Sequence, residues 1–286
     1  MIMTEQDFND YIEDYTNLIK VGKRILYESR RMEVLKGRNT LAFSALDKMT
    51  ITFSSIKRLL PSFKEESFDI SSISSLVRTT IELSNKLFFF GLEKVDENEE
   101  KLRVDLFSYL SKKERQAAVK KLNPHITKLT DWELEDKHLI HKRNKIISNP
   151  TFIKLIQENK IQGFDSLINE LDRKNKYWGR NLLFKKRNLN VQFLDSVYKI
   201  NSFDTHGSPA AIERHIQNFV SNSKDTSKVE NHKQTISIAH ISASLYAKSI
   251  MEYSKISSEL EESIDQIEKE LLETLKELTN EITTKS

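Results

Sequence analysis

Tyr198, Ser202 and His206 recur at four-residue intervals, the spacing that sets side chains beside one another on one helix face. Two hydroxyls and an imidazole in a row can bind a phosphate or relay a proton. His206 is followed by Gly207-Ser208-Pro209. A glycine there closes one helix, and a serine N-cap with proline at the first helical position opens the next. A histidine at a helix C-terminus is held toward its cationic form by the helix dipole, and the nearby Asp204 acts in the same sense. A cationic histidine suits phosphate binding or general-acid chemistry. Packing of Tyr198 and Ser202 between helices, with His206 as a cap, is the simpler account of the same spacing.

Two other groupings carry charge at helical spacing. Arg78 and Glu82 lie four apart in a segment otherwise rich in Ile, Leu and Val. Charges on an apolar helix are costly unless paired, so they either satisfy each other or present Arg78 to an anionic ligand with Glu82 orienting it. Asp131, Glu135, His138 and His141 form the third group. Glu135-x2-His138 has the spacing of carboxylate-bridged metal sites in helical bundles, but those need a second such motif, and none stands elsewhere in the chain. A solvated face is the expected role, and no metal or other cofactor is assigned.

Missing motifs narrow the chemistry. The sequence has no Gly-x4-Gly-Lys-Ser/Thr loop, no Gly-x-Gly-x2-Gly, no Gly-x-Ser-x-Gly elbow and no His-Glu-x2-His, which disfavours P-loop hydrolysis, Rossmann redox chemistry, hydrolase-fold acyl transfer and common zinc proteolysis. Ser202 with His206 lacks the strained turn and oxyanion donors of a serine hydrolase. With no cysteine, thiolate zinc sites, disulfides and a cysteine nucleophile drop out. The 45 basic and 42 acidic residues leave a net charge of +3, too balanced for a dedicated duplex-DNA binder. Local basic runs at Lys142-Arg143-Asn144-Lys145 and Lys185-Lys186-Arg187 leave room for a smaller patch.

The elements that must position these groups read as helices throughout. Six glycines and four prolines in 286 residues are too few for the frequent turns of an all-β fold, so the expected class is all-α, a multi-helix bundle. Each glycine is read as a helix end or loop. Phe8, Ile12, Tyr15, Ile19 and Ile25 mark a first helix face, and a second helix from about 40 to 60 stops at Pro61, completing a hairpin over 1–66. A core domain is expected over 67–221. It holds the Arg78 helix ending near Gly91, a charged helix to Pro124, a helix over 131–147 ended by Asn149-Pro150, short helices around Gly163, and the helix over 191–206. Residues 221–235 are expected to loop out. Residues 235–286 contain no Gly or Pro, and Leu260, Ile264, Ile267, Leu271, Leu275, Leu278 and Ile282 recur at three or four. That predicts a long C-terminal helix with a coiled-coil-like seam, serving either its own bundle or a homodimer. No apolar run approaches a membrane span, and the acidic amphipathic start differs from a signal peptide, so a soluble cytoplasmic protein with no membrane partner is expected.

Taken together, Leu76-Val77-Arg78-Thr79-Thr80-Ile81-Glu82, Tyr177-Trp178-Gly179-Arg180 and the Tyr198 to Ser208 stretch resemble a bacterial family of helical proteins, domain-of-unknown-function family 5677, over about residues 70–215. The resemblance implies that Arg78, Glu82, Tyr198, Ser202 and His206 converge in one pocket of a helical bundle. In general look it is also similar to HEPN-type helical ribonucleases of toxin and phage-defence systems, which cut RNA without metal through an Arg-x4-6-His motif. This sequence departs from that motif: Arg143 is followed by Asn149 where a histidine would stand. A ribonuclease reading therefore needs a dispersed site, with Arg78 holding phosphate, His206 as acid or base, and Tyr198 and Ser202 positioning it. The alternative is a non-catalytic module that binds a small anion, a nucleotide or a partner protein; across the two readings the expected partners are RNA or a nucleotide and a protein from the same operon.

Overall fold

The computed structural model describes residues 4–32, 35, 37–60, 69–122, 132–159, 164–165, 179–205 and 225–284, with backbone alone at 115, 118–122, 132–136, 159, 203–205, 225–232, 234 and 276–284. These residues are helical throughout, without a strand. By packing they form two compact units, one from 1–92 with 180–286 and one from 93–179.

The first unit begins with α1 (Glu5–Arg31). Thr4 and Asp7 make a reciprocal capping box: the Asp7 amide donates to Thr4 Oγ1 at 3.1 Å, and the Thr4 amide donates to Asp7 Oδ2 at 2.8 Å. This satisfies two of the amides that a helix start leaves orphaned. α2 (Arg38–Leu59) returns antiparallel, completing the expected hairpin. α3 (Ile70–Leu87) is capped by Asp69, which accepts from the Ser72 amide at 3.0 Å. It runs into a π-helical turn over Phe88–Leu92. Gly91 belongs there because a Cβ would stand 2.4 Å from Ala42 Cβ and 2.9 Å from Ala42 Cα. Here the chain touches the backbone of α2.

After the second unit come α7 (Arg180–Lys186) and α8 (Val191–Thr205), then α9 (Asp225–Ser254), α10 (Ser258–Glu262) and α11 (Gln266–Thr284). α9 is the centre of this unit. From Ile241 to Ala247 every residue is buried, and the helix packs against α1, α2, α3 and α11. A helix buried all round needs no polar face, and small residues such as Ala239, Ala243 and Ala247, all 0 % exposed, let its neighbours approach. Its hydroxyls find partners inside: Ser242 Oγ donates to Thr80 Oγ1 at 2.8 Å, and Ser249 Oγ lies 3.0 Å from Ser84 Oγ. Tyr246 Oη lies 2.6 Å from Thr50 Oγ1.

Several expectations are corrected. Gly22 is no helix end. It lies buried within α1, where a Cβ would come 1.8 Å from Tyr246 Oη. Residues 225–235 are helix rather than loop, because a polar stretch without Gly or Pro keeps helical propensity. The single long C-terminal helix is three helices. The Ser257 side chain accepts the Leu260 amide at 3.2 Å, and Asp265 accepts the Glu268 amide at 2.9 Å. Each is a helix start, so the seam is cut twice. Leu260, Ile264, Leu272 and Leu275 are buried in the unit's own core, whereas Ile267 is 79 % exposed.

In the second unit, α4 (Glu97–Leu122), α5 (Trp132–Ile147) and α6 (Pro150–Asn159) pack about Leu102, Leu106, Tyr109, Ile146, Phe152 and Phe164. Arg103, fully buried, pairs with Glu93 at 2.8 Å and also with Glu99. Asn149 accepts the Thr151 amide at 2.9 Å and caps α6, with Pro150 in the first helical position.

No helix among the described residues is long and apolar enough to cross a membrane.

Candidate functional site

Three of the five expected site residues meet on the α3–α8 face. Tyr198 projects from α8, and its hydroxyl donates to Glu82 Oε1 on α3 at 2.7 Å. Arg78, one turn before Glu82, donates from Nε to the same oxygen at 3.2 Å. Its guanidinium carbon stands 4.8 Å from the centre of the Tyr198 ring. The i,i+4 pair therefore satisfies itself and also recruits the tyrosine across 116 residues of chain.

The sequence reasoning missed the next residue. Arg180, in the first turn of α7, lies 3.6 Å above the Tyr198 ring. Its Nη2 donates to Asp195 Oδ1 at 2.5 Å, and Asp195 Oδ2 also pairs with Lys199 at 2.7 Å. Asp195, Tyr198 and Lys199 sit at i, i+3 and i+4 on α8, one face by spacing alone. That pattern was the available signal for Asp195 and Lys199. For Arg180 it was its place at the end of the Tyr177-Trp178-Gly179-Arg180 segment.

The electrostatics are those of a slightly cationic patch, with three basic groups against two carboxylates. The bonds from Lys199 and Arg180 hold the Asp195 carboxyl below its ordinary range, against a smaller opposing effect of burial. Partial burial pushes the Tyr198 phenol up, and donation to the anionic Glu82 adds to this, while Arg78 partly offsets it. Burial would lower Arg78, but Tyr198 and Glu82 outweigh it and raise it. Tyr198 is thus a protonated donor at neutral pH and not a nucleophile. Both arginine side chains are about one-quarter exposed, 24 % for Arg78 and 25 % for Arg180, so solvent reaches them.

Ser202 does not join this network. Its hydroxyl donates to the Tyr198 carbonyl at 2.7 Å, the local back-bonding that serine makes within helices. His206, with the Gly207-Ser208-Pro209 boundary, lies outside the described residues, as do Tyr177 and Trp178. The described part of α8 runs to Thr205.

The other groupings resolve differently. His138 and His141 are exposed on α5, and Asp131 and the Glu135 side chain lie outside the described residues. Among the described residues no group of three or more His, Asp or Glu is placed to hold a metal ion. Arg143 packs over the Phe164 ring at 5.3 Å, while Asn149 is spent on capping. The run 185–187 is only partly a surface patch. Lys185 and Lys186 are exposed, but the Arg187 side chain is 0 % exposed and bonds Glu252 Oε2 at 2.7 Å and Ser84 Oγ at 2.7 Å.

A family model described only as a family of unknown function matches residues 39–225. The chain belongs to DUF5677. The DUF5677 match takes in α2, which the sequence reading had left outside, and runs through the whole Arg78, Glu82, Arg180 and Tyr198 cluster. α1 and nearly all of α9 to α11 lie beyond it. No curated protein and no solved structure matches the chain.

Proposed function

We propose that the α3–α7–α8 face binds a phosphate-bearing ligand, a nucleotide or an RNA phosphate. The observation that carries this is the pair of guanidiniums, Arg78 and Arg180, stacked on one tyrosine ring and each anchored by its own carboxylate. Arginine forks match phosphate oxygens in geometry. Fixing them before the ligand arrives removes much of the ordering cost of binding. The test is calorimetric titration of the full chain with ribonucleoside mono- and triphosphates. Arg78→Ala and Arg180→Ala are expected to weaken binding at least about tenfold, or roughly 1.4 kcal/mol, each removing one charged contact. Affinity equal to that of the wild type in both variants would sink the proposal.

One observation favours a catalytic reading of the same face. Glu82 spends Oε1 on Arg78 and Tyr198, and its Oε2 makes no hydrogen bond among the described residues. In this reading that oxygen takes the proton of a ribose 2′-hydroxyl while Arg78 and Arg180 neutralise the phosphate. His206, next in the chain after α8, is assigned the leaving-group proton in this reading. The activity is then metal-independent RNA cleavage by a toxin-like or phage-defence effector. RNA incubated with the purified protein and a chelator should be cut, and Glu82→Gln and His206→Ala should abolish the cutting. An intact substrate with the wild type removes the catalytic reading and leaves the binding one.

A further inference from the structure

The α1–α2 hairpin holds a cavity of about 380 Å³ on its outer face. Five residues on its walls are exposed: Lys23, Tyr27 and Arg30 on α1, and Ile51 and Arg58 on α2. Lys23, Tyr27 and Arg30 are spaced four and three apart and form one stripe of α1. Ser54 and Ser55 close the wall between Ile51 and Arg58.

The cations here differ from those of the α3–α8 face, where Arg78, Arg180 and Lys199 are each paired with a carboxylate. Among the described residues, Lys23 and Arg58 make no ion pair, and Arg30 has only the Phe43 ring, 5.0 Å away. Asp47 is the one acidic side chain on the wall. The register of the antiparallel hairpin orders the groups. Arg30 lies over Phe43, while Gly22 and Thr50 both meet Tyr246. Lys23 and Arg58 therefore lie to one side of Tyr27 and Arg30 to the other, with Ile51 level with Lys23. At 1.5 Å per residue, Lys23 and Arg30 originate roughly 10 Å apart along α1. Tyr27 is 65 % exposed and Ile51 53 % exposed, an aromatic ring and an aliphatic side chain presented to solvent among cations that make no ion pair with the described residues.

We propose that this groove binds a short stretch of single-stranded nucleic acid, with phosphates on Lys23, Arg30 and Arg58 and a base against Tyr27 and Ile51. Cations that track a backbone, with an aromatic platform between them, are how such strands are held without sequence readout. A mononucleotide would use the cations on one side of Tyr27 only, and the arrangement supplies them on both. Lys23, Tyr27 and Arg30 precede residue 39, where the DUF5677 match begins. The groove shares no residue with the α3–α8 cluster of Arg78, Glu82, Arg180, Asp195, Tyr198 and Lys199, so the inference does not depend on the function proposed for that face.

The experiment is fluorescence anisotropy of the full chain with a labelled oligouridine of about 12 nucleotides, within the site sizes of strand-binding grooves. Replacing all three cations (Lys23→Ala, Arg30→Ala, Arg58→Ala) should weaken binding more than about tenfold. It should also lower the log–log salt slope by roughly 2, from three contacts at about 0.7 each. Tyr27→Ala should lose roughly tenfold and Tyr27→Phe should keep wild-type affinity, since stacking needs the ring and not the hydroxyl. All four side chains are exposed, and circular dichroism confirms that each variant is folded. The loss caused by the triple replacement should be the same whether or not Arg78→Ala and Arg180→Ala are also present, which separates failure here from failure of the α3–α8 proposal. Absence of oligouridine binding overturns the inference. So does a triple variant that binds like wild type, or uridine monophosphate competing as well as the oligomer. Anionic vesicles captured through the same three cations, with no oligomer bound, overturn it in favour of a membrane surface.

Discussion

Arg187 and Glu252 offer a measurable case of what a charge costs inside a helical core. Arg187 follows α7 and its side chain has no exposed surface. Glu252 lies on α9 and is 23 % exposed. The guanidinium has two side-chain acceptors, Glu252 and the Ser84 hydroxyl, with the Phe88 ring at 5.6 Å. Glu252→Leu strands the guanidinium with Ser84 alone. Removing one partner of a buried pair costs about 3–5 kcal/mol, and the partial exposure of Glu252 puts the expected loss at about 3. Arg187→Met leaves a carboxylate that solvent reaches and that Lys248 approaches at 3.6 Å, so about 2 kcal/mol is expected. The double variant carries no stranded charge, and a well-packed apolar replacement of a buried pair is often close to neutral, so its cost should also be about 2 kcal/mol or less. The coupling energy is then about 3 kcal/mol, against at most about 1 for an exposed pair. Urea unfolding of the four proteins, followed by far-ultraviolet circular dichroism, measures all four corners. A double variant that loses the sum of the single losses would refute the reasoning, because the two charges would then be solvated independently.

Three further outcomes follow from the geometry. Tyr198→Phe removes the donor to Glu82 while keeping the ring under both arginines, so stability should fall by only about 1 kcal/mol, whereas Tyr198→Leu, which also loses the cation–π contacts, should lose about 2; thermal melts report both, and equal losses would mean the arginines do not stack. Gly22→Ala pushes a methyl into Tyr246 Oη and should cost about 1–3 kcal/mol despite the better helix propensity of alanine; Tyr246→Phe added to it should recover part of that loss in urea midpoints. His240 faces Tyr11 and Tyr15, with Tyr15 Oη 3.1 Å from Nδ1, and burial pushes its pKa down to about 4. The unfolded chain then binds a proton that the folded one refuses. The stability contributed by neutral His240 is present above about pH 6.5 and is lost as pH falls toward 4, by up to about 1.4 kcal/mol per pH unit. The stability difference between wild type and His240→Gln, measured by urea at pH 7 and pH 5, should shrink at the lower pH, and a constant difference would contradict the burial argument.

How much of this was legible in the sequence varies by residue. Phe8, Tyr15, Ile19 and Ile25 announce α1 because an amphipathic face leaves a periodic signature. Arg78, Glu82 and Tyr198 were legible as a set only through the resemblance, since spacing within one helix says nothing about a partner 116 positions away. Arg187 was misread because a lysine-lysine-arginine run looks solvated and only the fold brings Glu252 to it. α9 was hidden for the opposite reason. Its burial rests on alanines and serines, whose packing leaves little trace in a pattern of large apolar residues, and its buried hydroxyls meet Thr80 and Ser84 on another helix. The α1–α2 groove was invisible because its cations come from two helices, and no spacing within either one reveals that they face a common cavity.

The place of α9 in the chain has a consequence for synthesis. Residues 5–92 supply α1 to α3 and the π-helical turn, but the helix they surround begins only at Asp225. At about 5–20 residues per second, the ribosome needs roughly 7 to 27 seconds to cross that interval. For that time Leu18, Leu46, Phe53 and Val77, all 0 % exposed in the finished protein, wait without the surface they will cover. The second unit, contiguous over 93–179, is made entirely within that interval. The first unit is thus both the earliest to be synthesised and the last to close, which makes the nascent chain, and not the mature one, the form that most needs a chaperone.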